Sequence, residues 1–288
     1  MKDFFFSIVI PTFERPDDLR KCLDSLSHEN QRDAPIYELI VTDDSKSDFC
    51  KNVVLGDFPY AHWGKGKQNG PAGNRNAGVS RAKGKWIIFI DDDCIAQKDY
   101  LAAYADAIYR NPNIYVFEGR IFAERKRKTW SEGCPENENG GMLWTSNLCV
   151  KKSVFLNLNG LDERFLVSYE DVDFAYRLKK EKYDTVFVRK AAVCHPWRSL
   201  RKKSSKNWKK NWHDITSLLI FCEKHNYENK EYSNSLIYLK NFSRIITKDL
   251  YNCILYLKTR GIDILLKDAF VSLIVFILLS IRKFERLR

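Results

Sequence analysis

The chain has 288 residues, of which 44% are hydrophobic and 14% aromatic, which excludes global disorder and allows a sizeable core. Its net charge of +11 favours an anionic partner, such as a phosphorylated substrate, an acidic lipid surface or nucleic acid. The eight cysteines include no CxxC pair, and no signal peptide is recognisable, so we expect free thiols in a cytoplasmic protein without a structural zinc site.

Strands and helices alternate in the first half of the chain. The predicted strands span residues 4–10, 37–42 and 86–90, and the predicted helices span residues 17–27, 74–82 and 99–110. This alternation predicts a parallel sheet with right-handed crossovers. The dinucleotide fingerprint GxGxxG is missing after the first strand, so an ordinary dinucleotide site is not expected. Residues 120–141 are polar and charged, which predicts a long loop.

Three consecutive acids, Asp91, Asp92 and Asp93, directly follow the apolar run at residues 86–90. Open α/β sheets bind ligands at the carboxyl ends of their strands. Because adjacent carboxylates repel one another, we expect a cation here, and a divalent metal that holds a diphosphate fits best. An acidic turn would be the better explanation if the motif stood alone.

Two more acids and a glycine-rich loop have the chemistry of a nucleotide site. Asp43 and Asp44 end the second strand, where a carboxylate can accept a hydrogen bond from a base N–H or a ribose hydroxyl. A capped turn is the alternative. The loop at residues 64–73 allows close approach of the backbone to a ligand, and Arg75 either offers phosphate a fixed cationic fork or is solvated.

A second acidic pair begins a predicted helix further along the chain. Glu170 and Asp171 precede a segment that ends in basic residues, an arrangement that suits the helix dipole. A carboxylate in this position can also act as a general base that takes the proton of a hydroxyl nucleophile. Both interpretations hold together, because a catalytic acid can lie on a well-charged helix.

Six segments, in their order and spacing, resemble the family-2 nucleotide-sugar glycosyltransferases of GT-A fold. They are residues 7–15 (SIVIPTFER), 39–45 (LIVTDDS), 70–78 (GPAGNRNAG), 91–93 (DDD), 159–165 (NGLDERF) and 169–178 (YEDVDFAYRL). The resemblance covers about residues 4 to 197. It implies a Rossmann-like α/β protein with a mixed, mostly parallel sheet flanked by helices. It also implies inverting, metal-dependent transfer of a sugar from a nucleotide-diphosphate sugar, by family habit a UDP-sugar, to a hydroxyl of a glycan or lipid-linked acceptor in surface polysaccharide assembly.

The resemblance also assigns roles to single residues. Those implied in nucleotide binding are Pro11, Thr12, Phe13, Glu14, Asp43, Asp44, Asn69, Gly70, Asn74, Arg75, Asp91 and Asp92. The metal, Mn²⁺ or Mg²⁺, is expected on Asp93, with Asp91 holding ribose or a metal-bound water. His195 either completes the metal shell or is a packing residue. The family often has a small residue where Asp92 stands, which leaves the role of Asp92 open.

Fewer catalytic side chains are expected around the acceptor than around the nucleotide. Asp171 is the expected general base, and Glu170 orients the base or touches the acceptor. One carboxylate suffices there, because a diphosphate held by a metal needs no acid to leave. Trp144 and Asn147 fall where the family places residues near the acceptor or the donor sugar, with ordinary packing as the alternative.

The C-terminal quarter lies outside the resemblance. We expect a catalytic domain at residues 1–213 and a helical region at residues 214–288. The basic segment 198–212 has interleaved tryptophans, which suits a membrane interface better than nucleic acid, for which no binding motif is present. Residues 269–281 are uncharged but shorter than the roughly 20 residues of a membrane span. The last helix either packs on the domain or attaches peripherally to the cytoplasmic face of an anionic membrane, and we favour attachment.

Two other classes remain as alternatives. A nucleotidyltransferase acting on sugar phosphates also uses carboxylates and a metal, but would need a basic, glycine-rich signature after the first strand. A non-catalytic, membrane-associated nucleotide-sugar-binding protein would not need both Asp93 and Asp171. The sequence does not identify the sugar, the acceptor, the linkage or the oligomeric state.

Overall fold

The computed structural model describes residues 4–129, 132–199, 204–226, 233–244, 246–247 and 262–286. The chain divides into two compact units. The first unit consists of the residues up to Glu124, Cys134–Leu166 and Glu170–Pro196, and the second of Arg125–Gly133, Val167–Tyr169 and the residues from Trp197 onward. The predicted boundary near residue 213 falls inside a continuous helix, Ser204–Lys224, so the main division lies nearer residue 197.

The first unit contains an eight-stranded sheet and six helices among its described residues. Its strands are β1 (Phe6–Thr12), β2 (Tyr37–Asp43), β3 (Ala61–Lys65), β4 (Trp86–Ile90), β5 (Ile95–Ala96), β6 (Val116–Ala123), β8 (Asn147–Lys151) and β9 (Thr185–His195). Its helices are α1 (Pro16–Ser25), α2 (Phe49–Asp57), α3 (Pro71–Arg81), α4 (Tyr100–Arg110), α5 (Lys152–Asn157) and α6 (Glu170–Lys180).

The sheet is mixed and mostly parallel, as expected. Its strand order is β3-β2-β1-β4-β8-β6-β9-β5. The first four strands are mutually parallel, β8 runs antiparallel to β4 and β6, and β9 is parallel to β6 and antiparallel to β5. This order brings the carboxyl ends of β1, β2 and β4 to one edge of the sheet, which is where the acidic motifs follow.

The central strands are buried on both faces, which explains their continuous apolar runs. Ile8 and Ile88 belong to the apolar cluster on one face, and Val9, Ile87 and Phe89 belong to the cluster on the other. Because successive side chains of a strand point to opposite faces, each central strand contributes to two cores. The acids after β4 are therefore anchored to the most firmly buried part of the unit.

Three predicted boundaries were wrong. Strand β1 continues through Pro11 to Thr12, because it pairs with β4 only as far as Val9, and the missing N–H of Pro11 then costs little pairing. Helix α3 begins at Pro71, since proline is well tolerated in the first helical turn. The predicted loop at residues 120–141 begins as strand, because the end of β9 offers β6 a pairing partner.

The second unit is mainly helical in its described part. Its elements are β7 (Glu132–Gly133), β10 (Arg198–Ser199), α7 (Ser204–Lys224), α8 (Ser235–Arg244) and α9 (Ile262–Arg286). Strands β7 and β10 form an antiparallel pair, and α9 packs against α7 and α8. Within the described residues, the helices lack the combination of length and hydropathy needed to cross a bilayer.

Several predicted residues of the C-terminal region lie outside the described residues or have undescribed side chains. They are Arg201, Lys202, Lys203, Lys206, Trp208, Lys209, Lys210, Arg282, Lys283, Arg286 and Arg288.

Candidate active site

The acidic turn after β4 is tied to the end of β1. The hydroxyl of Thr12 donates to Asp92 Oδ2 at 2.7 Å, and Arg15 Nη1 donates to Asp92 Oδ1 at 3.0 Å. The same Arg15 nitrogen donates to Asp93 Oδ2 at 3.1 Å. Burial raises the pKa of Asp92 to about 6, against the opposing attraction of Arg15. Asp92 is thus a buried anchor that fixes the turn, which gives a role to the residue that the sequence left open.

Arg75 joins the two acidic clusters. Its guanidinium donates from Nη2 to Asp91 Oδ1 at 2.6 Å and from Nη1 to Glu170 Oε1 at 3.0 Å. The acids after β4 and those at the start of α6 therefore lie at one place in the first unit, although they are far apart in sequence. Arg75 is buried, and its fork is filled by carboxylates rather than held open for a phosphate. Of the two alternatives that the sequence left open for Arg75, a fork for phosphate or a solvated side chain, the solvated one does not fit this burial.

The acidic pair that begins α6 is electrostatically strained. Burial, reinforced by the charge of Asp171, raises the pKa of Glu170 to about 7, and burial also raises the pKa of Asp171. Oε2 of Glu170 has no hydrogen-bond partner among the described residues. Asp171 is less buried than Glu170, and one of its oxygens accepts from the Val172 N–H at 2.8 Å. The more accessible Asp171 is the better placed of the two to meet a substrate.

The two acids after β2 have different surroundings. Asp43 is almost completely buried, and its carboxylate accepts from Trp63 Nε1 at 3.1 Å and from the Ser45 N–H at 2.8 Å. Asp44 instead accepts from the Gln68 N–H at 2.9 Å, and burial raises its pKa. Asp43 is therefore used inside the protein to shape the turn. Asp44 faces the glycine-rich loop and is the better candidate to contact a nucleobase or ribose.

Asn74 lies against the same turn. Its Nδ2 donates weakly to the Thr12 carbonyl at 3.4 Å, and its Oδ1 is buried without a hydrogen-bond partner among the described residues. A Cβ on Gly66 would lie 2.0 Å from Asp44 Oδ1 and 2.3 Å from Asn74 Oδ1, so only glycine fits there. The loop thus brings two polar oxygens close together at the end of β2.

Glu163 holds the glycine-rich loop in place. Its carboxylate accepts from Lys67 Nζ at 2.6 Å, Asn69 Nδ2 at 2.7 Å and Asn76 Nδ2 at 3.0 Å. These hydrogen bonds lower the pKa of Glu163. The hydrogen bond from Asn76 makes the largest contribution to this lower pKa. Gly70 turns the loop into α3 at φ 97°, a conformation that favours glycine, and a Cβ there would meet the Leu166 carbonyl at 2.3 Å. Glu163 lies in the segment 159–165, and the sequence alone indicated no role for it.

The residues after β1 present a ring and an acid. Phe13 is 56% exposed, so its ring is available to a planar ligand. Glu14 has φ 54°, and its carboxylate accepts from the N–H groups of Lys46 (2.8 Å) and Ser47 (3.1 Å). A hydrogen bond from the Ser47 side chain is the main cause that lowers the pKa of Glu14. Glu14 thus fixes the loop that follows Asp44, and Pro11 lies within β1.

His195 lies beside Asp93, at the end of β9. Its Nε2 is 3.3 Å from Asp93 Oδ1, and its Nδ1 is 2.8 Å from the Pro196 carbonyl. Burial lowers the pKa of His195, but hydrogen bonds to Asp93 and Cys134 outweigh it and raise the pKa to about 10. Asp93, Cys94 and His195 offer one ligand atom each within 4.8 Å of one another. A carboxylate oxygen and an imidazole nitrogen suit Mn²⁺ once the metal displaces the imidazole proton, and two adjacent ligands about 3 Å apart fit a metal that binds at about 2.1 Å.

Asn147, expected either near a sugar or in ordinary packing, has its side chain inside the protein. Asn147 is fully buried, and its Oδ1 accepts from the hydroxyls of Tyr100 (3.0 Å) and Tyr104 (2.7 Å). Its Nδ2 donates to the carbonyls of Arg120 and Ala191, both at 2.9 Å. Every hydrogen-bonding position of the amide is therefore used inside the protein. Trp144 is half-buried and packs against the core, which leaves part of its ring accessible.

Glu118 is a positioning residue that sequence analysis missed. Its buried carboxylate accepts from Asn137 Nδ2 (2.8 Å) and from the N–H groups of Gly141 (2.5 Å), Met142 (2.8 Å) and Leu143. It thus holds the loop that follows β6 as it turns back toward β8. An isolated acid inside the apolar strand β6 was the available signal, because a buried carboxylate needs several donors.

The described site and fold define a GT-A glycosyltransferase. The solved structures most relevant here are S. aureus TarS 1-349 in complex with UDP-GlcNAc, and the mannosyltransferase PcManGT from Pyrobaculum calidifontis in complex with GDP-Man and Mn²⁺. TarS has a TM-score of 0.57 at 17% identity, over 81% of this chain and 75% of its own. PcManGT has a TM-score of 0.57 at 15% identity, over 80% of this chain and 66% of its own. At these identities the likeness shows the fold.

The chain belongs to glycosyl transferase family 2, whose profile matches residues 7–154, just over half of the chain. An uncharacterized glycosyltransferase of Haemophilus influenzae is 28% identical over 61% of this chain and 62% of its own length, so the match spans less than two thirds of that relative. The amylovoran biosynthesis glycosyltransferase AmsB of Erwinia amylovora is 31% identical over 65% of this chain and 68% of its own.

Proposed function

We propose that this glycosyltransferase moves a sugar from a UDP-sugar to a hydroxyl group of a glycan or lipid-linked acceptor, with inversion at the sugar carbon, in surface polysaccharide assembly. The main support for this proposal is the contact of Arg75 with both Asp91 and Glu170. It brings the acids suited to a metal-held diphosphate beside the acids suited to activate an acceptor. The amylovoran relative and a poly(ribitol-phosphate) beta-glucosyltransferase of Bacillus spizizenii, 31% identical over 34% of this chain, support the acceptor class.

The nucleotide would lie at the carboxyl ends of β1 and β2. In this proposal the exposed Phe13 ring stacks on the base, and Asp44 accepts a hydrogen bond from a base N–H or a ribose hydroxyl. Glu163 keeps the glycine-rich loop closed over that side. Two further acceptors without a hydrogen-bond partner among the described residues are the Oδ1 atoms of Asn69, in the loop, and of Asn74, in the first turn of α3. UDP is preferred over GDP by family habit.

Asp93 and His195 would hold the divalent metal, with Asp91 close by. When bound, the metal neutralises charge on the departing diphosphate. Arg15 fixes one oxygen of Asp93, so the other oxygen stays directed toward His195. The hydrogen bonds of Asp92 with Thr12 and Arg15 stabilise this arrangement, and the hydrogen bond from Arg75 sets the position of Asp91.

Asp171 would act as the general base. A sugar hydroxyl is a poor nucleophile at neutral pH, and a carboxylate within hydrogen-bond reach can take its proton as the bond to the sugar carbon forms. The raised pKa of the buried pair makes the carboxylate a stronger base than an exposed one. Attack from the face opposite the diphosphate gives the inverted product.

The test is release of UDP from a panel of UDP-sugars in the presence of Mn²⁺ and acceptor. We expect release from at least one donor, its loss in Asp171→Asn by about 10³-fold, and unchanged UDP binding in that variant. Asp184→Asn, which changes an exposed acid of the same unit, is the matched control. Pyrophosphate formation from UTP and a sugar phosphate would identify a nucleotidyltransferase instead. UDP-sugar binding without turnover would identify a binding protein.

A further inference from the structure

The charge of the chain is concentrated at one end. Residues 198–288 hold 19 of the 48 basic residues but 8 of the 37 acidic ones, and residues 1–197 hold 29 of each. The whole net charge of +11 therefore lies in the last part of the chain, and the part that contains the proposed active site is neutral. This division indicates that the anionic partner suggested by the composition belongs to the C-terminal region rather than to the sugar-transfer site.

The last helix, α9, has an exposed apolar face. Leu266, Phe270, Ile277 and Ile281 are 46%, 48%, 45% and 50% exposed. At about 100° per residue, the four positions fall within about 60° of the helix circumference. We call them the apolar stripe. Val275 and Leu279 are buried and lie on the opposite side of the helix, where α9 packs against α7 and α8.

The stripe runs along most of the helix. The 25 residues of α9 span about 37 Å, and the stripe extends from its second turn to Ile281, the residue before Arg282. Helix α8 adds Leu236 and Leu239, which are also exposed. Single exposed apolar residues are ordinary, but a row of them on one face is typical of an interaction surface.

Charge decides among the partners that would cover such a face. Arg282, Lys283 and Arg286 directly follow the uncharged residues 269–281 in sequence. A second copy of the chain would bring two positively charged regions together. An RNA would use the basic residues but leave the apolar stripe in water. An anionic lipid surface satisfies both features, since the apolar side chains enter the acyl boundary and the basic residues meet the headgroups.

We propose that the apolar stripe of α9, with the basic residues that follow it in sequence, docks this chain onto an anionic lipid surface, with the helix lying in the plane of the interface. The inference does not depend on the sugar-transfer activity, so either proposal can fail while the other stands.

The test is flotation of the full chain with lipid vesicles. One set consists of phosphatidylcholine and the other contains about a third phosphatidylglycerol. We expect at least tenfold more protein to float with the anionic vesicles, and high salt to reduce this binding. The double variant Ile277→Ser/Ile281→Ser should lose about tenfold or more of it. Because both side chains are exposed, the variant should keep its circular dichroism and melting temperature.

The matched control is Ile36→Ser/Leu55→Ser, which removes two equally exposed apolar side chains from the first unit and should float like the unchanged protein. Equal flotation of the stripe variant and the unchanged protein would overturn the proposal. Equal binding to neutral and anionic vesicles would show that charge does not select the lipid surface, and it would also overturn the proposal. Absence of flotation, together with an RNA complex or a dimer that the stripe variant abolishes, would identify a different partner.

Discussion

Charged side chains are used differently in the two parts of the molecule. In the first unit, buried charged side chains have partners inside the protein. These partners are opposite charges in the contacts of Arg75 with Asp91 and Glu170, and neutral hydrogen-bond donors at Glu118. Residues 198–288 instead carry the full net charge of +11 and an exposed apolar stripe. This difference indicates that the first unit arranges its polar groups around an internal site. In our proposal, the second unit offers its charge and apolar surface to a partner outside the chain.

The largest effect should come from the cation that joins the acids. Arg75→Met leaves Asp91 and Glu170 without their shared partner. Because removing one member of a buried ion pair strands the other, we expect the free energy of unfolding to fall by about 3 kcal/mol. The transfer rate should fall by about 10²-fold or more. Urea denaturation and UDP release measure the two effects.

Arg75→Lys is the control for charge alone. Lysine keeps the positive charge but lacks the planar fork that reaches two carboxylates, so we expect it to restore folding and only part of the rate. Full activity and stability in Arg75→Met would show that the two acidic clusters do not need this bridge.

The next effect tests whether Asn147 is structural. Asn147→Ala removes four internal hydrogen bonds. It leaves the buried Tyr100 hydroxyl without this acceptor and the Tyr104 hydroxyl with only the long contact, 3.4 Å, to the backbone carbonyl at position 147. We expect the free energy of unfolding to fall by about 2–4 kcal/mol, with the KM values of the folded enzyme unchanged. Denaturation and steady-state kinetics at low temperature measure both. A stable variant with a greatly raised KM would return Asn147 to the sugar site.

The pH dependence of transfer tests the acidic pair at the start of α6. Burial raises the pKa of Glu170 to about 7 and also raises that of Asp171, and a general base works only when ionised. Because the pKa of Asp171 is raised, we expect kcat/KM to begin to fall at a pH above the range of an exposed carboxyl group. Glu170→Gln removes the negative charge beside Asp171, so the fall of kcat/KM in this variant should occur at lower pH. A profile that stays flat down to about pH 5 would contradict the electrostatic account.

The last prediction compares the two faces of α9, and the smallest effect is expected on the apolar stripe. Leu279→Ala removes a buried side chain of α9 and should lower the free energy of unfolding by about 2–4 kcal/mol. Ile277→Ala, on the exposed face, should change it by less than about 0.5 kcal/mol. Guanidinium denaturation of the two variants compares the faces directly. Equal losses would mean that the stripe is covered within the protein.

The sequence predicted the parts of the fold that depend on local patterns. The apolar runs located β2 and β4 closely, and the resemblance led to the confirmed mixed, mostly parallel sheet. The insertion of β8 between β4 and β6 was not predictable, because antiparallel pairing with two distant strands leaves no mark on the spacing. The same holds for the strand character of residues 120–123, which depends on the end of β9.

The candidate site followed a similar division. The acids themselves were found from their positions after strands and at the start of a helix. Their partners were not, because the contacts of Arg75 span 16 and 95 residues of sequence. The amide of Asn147 meets hydroxyls from α4 and carbonyls from β6 and β9, a set that only the tertiary structure assembles. Residue type thus indicated the chemistry, and long-range packing decided which side chains remain free to perform it.

A crystal structure with UDP and Mn²⁺, with the metal located by its anomalous scattering, tests the central claim most directly. The account predicts a metal peak within about 2.3 Å of an Asp93 carboxylate oxygen and of His195 Nε2, bound to the diphosphate, with the Asp171 carboxylate facing the same cavity. A metal peak elsewhere, or a nucleotide bound away from the acids after β4, would contradict it.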